Sequence, residues 1–317
     1  PVDARIEDTG EQFEIIPETV GTQVNWERLE EEIVRALTTG DPVVNLEEDG
    51  CYDNPSVYAD DERLIKDCEQ MNGLTDVVIT YDFGDRKETV DREVIRGWLT
   101  RDENGDLILD KEQISAYVAS LGEKYDTVGL PRTFETYDNR EVALSGGDYG
   151  WVIDREKETD ALYQAVSDRK TQVREPVYQQ SAMSRNTNDI GYTYVEVDLP
   201  NHRLVVYRDG VPVVDTGILS SSATPEGVYK IQDMQSPAEV DGRMENYRIS
   251  FGEGLGIQDD PEINFDHMFT GNYDTGDGGS GFVSWAGTGG NVLVSVDQAA
   301  LIWQNVTEDM PIVIYKG

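Results

Sequence analysis

The stretch HRLVVYRDGVPVVDTG, residues 202–217, contains two β-strand patterns around a single turn. Valine is frequent in both halves, and β-branched residues favour a pleated, half-buried surface. Between the halves, Asp209 and Gly210 form a dipeptide that favours the positive φ angles of a two-residue hairpin turn. The stretch therefore predicts an antiparallel hairpin and indicates that this part of the chain is rich in β-structure.

Strand patterns continue on both sides of this hairpin. In YTYVEVDL, residues 192–199, apolar Val195 and Val197 alternate with polar neighbours, as in a strand with one buried face. Further strands are predicted in VYKIQDM, FVSWAG, NVLVSV and PIVIYKG. One amphipathic helix, DQAALIWQNV, lies between the last two of these. Residues 191–317 are therefore predicted to form one β-rich domain.

The preceding half of the chain mixes helices with hairpins. Asn25 can cap the amphipathic segment that follows it, and Gly40 stands just past the end of that segment. Asp110 begins DKEQISAYVASLGEKY with Gln113 three residues later, which is a capping-box arrangement. Alternation of such helices with strand patterns over residues 12–166 indicates a mixed α/β domain.

The domain boundaries follow from changes in composition. Residues 1–11 are polar, and we expect them to be frayed. Residues 167–190 are polar, contain a proline and have no helical period, so we interpret them as an extended connector. The prediction is an α+β chain with a mixed α/β domain at 12–166, the connector at 167–190 and the β-rich domain at 191–317.

The charge of the chain excludes one class of partner. Its 317 residues include 63 acidic and 26 basic residues, which gives a net charge of −37. Nucleic acid is not expected as a partner because the phosphate backbone would be repelled. We interpret the charge mainly as a means of keeping a secreted or surface protein soluble, with salt adaptation and uptake of divalent cations as alternatives.

The sequence contains no apolar run long enough to span a membrane and no signal peptide. We therefore expect contact with a membrane only through an N-terminal anchor that this sequence lacks. The two cysteines, Cys51 and Cys68, are a candidate disulfide, which would suit an extracellular protein. Two separate buried thiols are an equally good interpretation.

One acidic segment resembles a calcium-binding loop at first sight. RDENGDLILDKEQ places Asp102, Asn104 and Asp106 at alternate positions. Its glycine comes too early for an EF-hand, and Gln113 stands at the twelfth position. A hairpin turn at Asn104–Gly105 explains the segment better. We expect no metal and no cofactor.

Many motifs, in a common order, resemble one protein family. They are GCYDNPSV, ITYDFG, YDTVGLPRTFET, SGGDYGWVIDREKE, DIGYTYVEVDL, HRLVVYRDG, ATPEGVYKI and DQAALIWQNVTEDMPIVIY. Together they resemble the extracellular, YkuD-type L,D-transpeptidases of Gram-positive bacteria, which carry a peptidoglycan-binding N-terminal domain. The resemblance implies a mixed α/β domain followed by a β-rich catalytic domain. It also implies cross-linking of peptidoglycan through an acyl-enzyme on a cysteine.

The positions at which the family carries its catalytic residues are altered in this chain. The tail helix aligns the family motif Ser-His-Gly-Cys without gaps onto Thr288, Gly289, Gly290 and Asn291. The motif cysteine is thus Asn291, the motif histidine is Gly289, and Gly290 alone matches. At the upstream motif Gly-Ile-His-Asp, Gln258 replaces the histidine and Asp259 matches. The resemblance therefore predicts that the usual nucleophile and its base are lost.

Another residue could replace the nucleophile. Ser280 together with His267, which follows an aspartate, could form an arrangement of the Ser-His-Asp type. A lone loop histidine is more often solvated or packed, so this is the weaker interpretation.

The substrate side of the family site is represented by Thr224, Pro225 and Tyr229, and Trp285 is a candidate to line the same cleft. The Thr-Pro-x-Gly pattern suits a tight turn, so we favour a structural role for the first two residues.

Three functions remain open at this point. The first is a catalytically inactive, cell-surface L,D-transpeptidase homologue that binds peptidoglycan, its stem peptides or a cell-wall protein. The second is an active transpeptidase or hydrolase that uses the Ser280–His267 pair. The third is a structural or adhesive surface module whose acidic surface meets the partner. The first is the prediction that we favour, because both family catalytic positions differ at once.

Overall fold

The computed structural model describes residues 1–185, 188–240, 242–260 and 289–317. Within this range it confirms the predicted α+β class. No helix of the described residues is both long and apolar enough to cross a lipid bilayer.

The chain divides into two compact units. The first consists of Pro1–Tyr81, Glu88–Ala116 and Thr159–Arg174, and the second of Asp82–Lys87, Tyr117–Glu158 and Glu175–Gly317. The predicted boundaries at 12–166, 167–190 and 191–317 stay a prediction.

Residues 1–174 alternate short strands with helices. In chain order these elements are β1 Arg5–Asp8, β2 Phe13–Ile16, α1 Trp26–Thr39, α2 Glu62–Thr75, β3 Ile79–Asp82, β4 Lys87–Val90, α3 Arg92–Arg96, β5 Leu99–Arg101, β6 Leu107–Leu109, α4 Lys111–Tyr125, β7 Arg132–Glu135, β8 Glu141–Leu144, β9 Val152–Ile153, α5 Arg155–Ser167 and β10 Gln172–Arg174. The expectation of a frayed segment at 1–11 is wrong, because β1 pairs antiparallel with β2.

The helix ends follow the capping residues read from the sequence. The Asn25 side chain accepts a hydrogen bond from the Arg28 amide at the start of α1, and Gly40 ends that helix with φ 82°. The Asp110 carboxylate accepts from the Gln113 amide at the start of α4. Side-chain acceptors of this kind satisfy backbone N–H groups that have no partner within the helix.

The acidic segment around Asn104 is a hairpin turn, as predicted. Strand β5 pairs antiparallel with β6, and the Asp102 carboxylate accepts hydrogen bonds from the amides of Asn104 and Asp106. These bonds lower the pKa of Asp102, which stabilises its charged form.

Both cysteines lie in the first unit as separate free thiols. Cys51 is fully buried and Cys68 is 8% exposed, and the Cys68 thiol lies 3.3 Å from the carbonyl oxygen of Phe13. The candidate disulfide is therefore not formed, and the structure has the other alternative, two buried thiols. Burial raises the pKa of both thiols, which disfavours the reactive thiolate.

Residues 175–317 contain all eight strands of the largest sheet in the described part of the chain. Their elements are β11 Tyr178–Gln180, β12 Tyr194–Asp198, β13 Arg203–Arg208, β14 Val211–Gly217, β15 Gly227–Gln235, β16 Ala238–Val240, β17 Arg243–Glu245, β18 Arg248–Phe251, β19 Leu255–Asp259, β20 Val292–Val294, α6 Val296–Asn305 and β21 Pro311–Tyr315. Eight strands pair in the order β14-β13-β12-β21-β15-β18-β19-β20. The predicted hairpin is confirmed, since β13 and β14 pair antiparallel around Asp209 and Gly210, both with positive φ.

Different elements pack on the two faces of this sheet. Along β21, Ile312 and Ile314 belong to a core that includes Ala299 and Ile302 of α6. The alternate residues of β21 face a second cluster, which is Phe134, Val142, Leu144, Tyr149, Ile190, Val228, Val313 and Tyr315. Residues from β7 and β8 therefore cover the face opposite to α6.

A buried arginine lies beside this second cluster. Arg132 is 7% exposed and lies 3.0 Å from the carboxylate of Asp189, which is 6% exposed. Its guanidinium also donates to the carbonyl oxygens of Thr127 (2.8 Å), Leu130 (3.2 Å), Tyr149 (3.2 Å) and Asn188 (3.1 Å). A buried charge with this many partners satisfies its hydrogen-bonding capacity within the protein.

Two buried carboxylates lie on the same face of β12. Glu196 and Asp198 are each 1% exposed, and the Tyr315 hydroxyl lies 2.8 Å from the first and 3.3 Å from the second. Arg140 donates to Asp198 over 3.0 Å. Burial raises the pKa of Glu196, because desolvation disfavours its charged form.

Candidate functional site

The candidate site residues lie where β19 runs between β18 and β20. Strand β20 pairs parallel with β19, which places Gln258 opposite Leu293. Asn291 directly precedes β20, and Gly289 and Gly290 directly precede Asn291. The structure thus places the two altered family positions at one edge of the sheet, with residue 258 on β19 and residue 291 directly before the adjacent β20.

The side chain of Asn291 is hydrogen-bonded to strand β19. Its side-chain Oδ1 accepts a hydrogen bond of 2.8 Å from the backbone N–H of Gly256, which is buried. The amide group is neutral, so this contact does not depend on a titration. The position is therefore occupied by a structural acceptor.

The two glycines before Asn291 have left-handed backbones. Gly289 has φ 58° and Gly290 has φ 93°. A Cβ atom on Gly290 would lie 3.0 Å from a side-chain carbon of Leu255 and 3.2 Å from the carbonyl oxygen of Ala223. Gly290 therefore fits both the conformation and the close approach of its neighbours.

Gln258 is tied to the adjacent strand. It is 7% exposed, and its Oε1 accepts a hydrogen bond from the Arg248 guanidinium, opposite it in the β18–β19 register. The same guanidinium donates to the carbonyl oxygen of Gly254 over 2.8 Å. The hydrogen bond from Arg248 thus fixes the side chain of Gln258 beside β18.

Asp259 is a buried carboxylate that orders the turn before β18. It is fully buried and accepts hydrogen bonds from the Tyr247 amide (2.6 Å) and from the Asn246 side chain (2.7 Å) and amide (3.2 Å). Three donors satisfy a carboxylate well, so Asp259 has a clear structural role.

Glu245 is a further buried acid beside this turn. It is 8% exposed, and its Oε2 has no hydrogen-bond partner among the described residues. Burial raises the pKa of Glu245, with smaller contributions from the charges of Asp259 and Asp260. Sequence reasoning missed Glu245, Arg248 and the turn residues, because only the strand register brings them to Gln258 and Asp259.

The substrate-side residues form a turn beside Gly290. Thr224 is fully buried, and its amide donates to the carbonyl oxygen of Ser221 over 3.0 Å. Its hydroxyl oxygen accepts from the Ser221 amide over 3.4 Å. Pro225 follows, and the Tyr229 hydroxyl donates to the carbonyl oxygen of Glu226 over 3.1 Å. These contacts all lie within the turn and its following strand, in keeping with the structural role favoured for Thr224.

This turn is connected to the altered positions at two places. Leu219 and Leu293 exchange a pair of backbone hydrogen bonds of 2.9 and 2.8 Å, and Ala223 approaches Gly290. Burial raises the pKa of Tyr229, whose ring lies 5.5 Å from that of Phe251. The candidate residues Ser280, His267, Trp285 and Thr288 lie outside the described residues.

In the part of the chain that the structure describes, no group of three or more His, Cys, Asp or Glu side chains could hold a metal ion.

Comparison with known families covers both halves of the chain. A family described as "Putative peptidoglycan binding domain" matches residues 1–45 and 60–174. A family described as the L,D-transpeptidase catalytic domain matches residues 192–314. The chain belongs to the L,D-transpeptidase family. The first match identifies its N-terminal region as the peptidoglycan-binding domain expected from the resemblance.

Solved L,D-transpeptidase structures agree with this assignment. An Enterococcus faecium L,D-transpeptidase is 26% identical, with a TM-score of 0.58, and the match covers 78% of this chain and 98% of that one. The carbamoyl enzyme formed by Ldtfm and avibactam is also 26% identical, with a TM-score of 0.60 and coverages of 80% and 99%. No curated protein matches the chain. The two domains that match support a cell-wall-related function of this chain and an interaction with peptidoglycan or its stem peptides.

Proposed function

We propose that this member of the L,D-transpeptidase family is a catalytically inactive, cell-surface protein that binds peptidoglycan or its stem peptides. The observation that carries the proposal is the 2.8 Å hydrogen bond from the Gly256 amide to the Asn291 side chain. The family resemblance aligns the cysteine nucleophile with Asn291. A carboxamide is not a useful nucleophile, and this one serves as a structural acceptor.

The positions aligned with the family histidines support the same proposal. A thiol or hydroxyl nucleophile needs a nearby base, and histidine is the usual one at neutral pH. Gly289 has no side chain, and the Gln258 amide carries no basic group. Its Oε1 accepts a hydrogen bond from the Arg248 guanidinium, so the side chain at this position is held in a structural contact.

Binding is proposed because, among the described residues, the turn and strands around these positions keep their own packing and hydrogen bonds. The turn at Thr224 is closed by its own hydrogen bonds, and Gly290 packs against Leu255 of β19. A site can lose its reacting groups and keep the surfaces that recognise a ligand, since binding and chemistry depend on different groups. The proposed location at the cell surface follows from the proposed ligand, which is part of the cell wall. The net charge of −37 agrees with a soluble surface protein.

Turnover is the decisive experiment. The chain is incubated with tetrapeptide-stem muropeptide dimers and an acceptor, and products are followed by mass spectrometry beside an active family enzyme and a heat-denatured sample. We expect no cross-linking, exchange or hydrolysis above the denatured sample. Products would overturn the inactive assignment, and loss of those products in Ser280→Ala and His267→Ala variants would establish the serine alternative.

Sedimentation with intact cell-wall sacculi tests the binding half of the proposal. The folded chain should sediment with sacculi, and free stem peptides should compete. A folded chain that stays in the supernatant would refute peptidoglycan binding and leave the structural or adhesive module as the function.

A further inference from the structure

A second candidate site lies in the second unit, on strands distant from the altered catalytic positions. It is a surface groove with a volume of about 530 Å³. Four aromatic side chains and two carboxylates line it, and these are Phe134, Tyr192, Tyr194, Tyr207, Glu135 and Glu141. In the sheet, β12 and β13 are separated from β19 by β21, β15 and β18. The groove is therefore separate from the candidate site at β19.

The aromatic side chains form an ordered wall. Tyr194 and Tyr207 are directly opposite on β12 and β13, and their rings stack with centroids 4.8 Å apart. Phe134 meets Tyr194 edge-on, with centroids 5.5 Å apart. Tyr192 is 67% exposed at the margin of the groove. Aromatic faces carry a negative quadrupole, so a wall of this kind attracts cations.

The two carboxylates are placed against each other. Glu135 and Glu141 are directly opposite in the register of the β7–β8 hairpin, and both are exposed. Neither carboxylate forms an ion pair or a side-chain hydrogen bond with any described residue. Like charges opposite each other destabilise a strand pair, so this hairpin carries an electrostatic cost that a bound cation would remove.

The nearby arginines are already engaged with other acids. Arg140 lies within 3.0 Å of the carboxylates of Asp138 and Asp198, and Arg132 pairs with Asp189. The pKa of Tyr194 is raised, first by burial and then by negative charges that include Glu135. The groove is therefore both aromatic and negatively charged, which disfavours anions.

We propose that this groove binds a lysine-type side chain of a peptide, with its methylene stem against the aromatic residues and its ammonium at the exposed carboxylates of Glu135 and Glu141. A lysine side chain matches both features, because its methylene stem packs on apolar surface while its charged end seeks acceptors. A neutral sugar would pack on the aromatic rings but would leave the opposed carboxylates without a counter-charge. The inference goes beyond the proposed function and does not rest on it.

The test uses a lysine derivative in which only the side chain is charged. The intact chain, labelled with ¹³C on tyrosine, is titrated by NMR with Nα-acetyl-lysine methylamide, and the resonances of Tyr194 and Tyr207 are assigned by Tyr→Phe substitution. We expect both to shift with a dissociation constant of about 1 mM or below, and binding to weaken with salt. The Nε-acetylated form of the probe, which lacks the charge, should bind at least about tenfold more weakly.

Variants separate the groove from general charge effects. The double variant Glu135→Gln/Glu141→Gln should lose at least about tenfold in affinity and should be no less stable, because it removes the opposed charges. Glu239→Gln, which neutralises an exposed carboxylate on β16, is the matched control and should bind as the parent does.

Three outcomes would overturn the inference. They are equal binding of the charged and acetylated probes, an unchanged affinity in the double variant, and shifts of Tyr194 and Tyr207 with chitin oligosaccharides but not with the lysine probe. The last outcome would identify the groove as a saccharide site. None of the three bears on turnover or on the candidate site at β19.

Discussion

Replacing Asn291 with alanine should loosen strand β19 by a calculable amount. The change removes the acceptor of the Gly256 N–H, now 2.8 Å away, and leaves that amide buried without a partner. An unsatisfied buried donor costs about 1–3 kcal/mol. Asn291 itself is half-buried, so water can reach part of the gap, and we expect the lower part of the range, about 1–2 kcal/mol.

Hydrogen exchange of the Gly256 amide measures this effect at the affected bond. A loss of about 1–2 kcal/mol corresponds to exchange faster by roughly 5- to 30-fold, whereas amides in β12 and β13 should be unchanged. Asn291→Asp keeps an oxygen acceptor in the same place and should retain most of the protection. An unchanged exchange rate of the Gly256 amide in the alanine variant would refute the structural role of Asn291. Exchange as fast in the aspartate variant as in the alanine variant would refute it too.

Three further predictions concern the second unit. Arg132→Met should destabilise the chain by about 3–5 kcal/mol in urea unfolding, because it leaves Asp189 buried without its counter-charge. Adding Asp189→Leu to that variant should recover part of the lost stability. If the effects of the two substitutions on the unfolding free energy were strictly additive, the interaction between Arg132 and Asp189 would be contradicted. Since burial raises the pKa of Glu196, the neutral form favours folding at low pH and this stabilisation is lost as the pH rises through the folded pKa. Glu196→Gln should therefore flatten the decline in unfolding free energy above about pH 4.5, and an identical pH profile would contradict it. Gly147→Ala should cost roughly 3 kcal/mol or more, because its Cβ would lie 1.8 Å from a backbone oxygen at φ +89°, whereas Gly129→Ala, with open space at φ +77°, should cost only about 1 kcal/mol.

Features of the fold that depend on neighbouring residues could be predicted from the sequence. The hairpin at Asp209–Gly210 and the caps at Asn25 and Asp110 each depend on a few adjacent residues, and all three are present. The prediction for residues 1–11 failed because β1 is stabilised by pairing with β2 and not by its own composition. Polarity alone does not exclude an edge strand whose partner lies a few residues further along.

The candidate site could be predicted only in part, for the same reason. The positions of Gln258 and Asn291 followed from motifs, and the structure places Gln258 on β19 and Asn291 directly before the adjacent β20. Their partners could not be predicted, since the bond to Gly256 and the bond from Arg248 depend on strand register. Register is set by the packing of the whole sheet, which a pattern of local residues does not encode.

The cover over the sheet face opposite α6 has a consequence for how this architecture is inherited. Two separate families match the chain, the first ending at residue 174 and the second beginning at residue 192. Yet Phe134 and Tyr149, from within the first match, pack on Val228 and Val313 in the second. A recombination event that separated the second matched segment from the first would leave one face of the sheet apolar and exposed to water. An exposed apolar face of this kind promotes aggregation. Selection against such recombinants would keep the two segments together through descent, whatever either one binds.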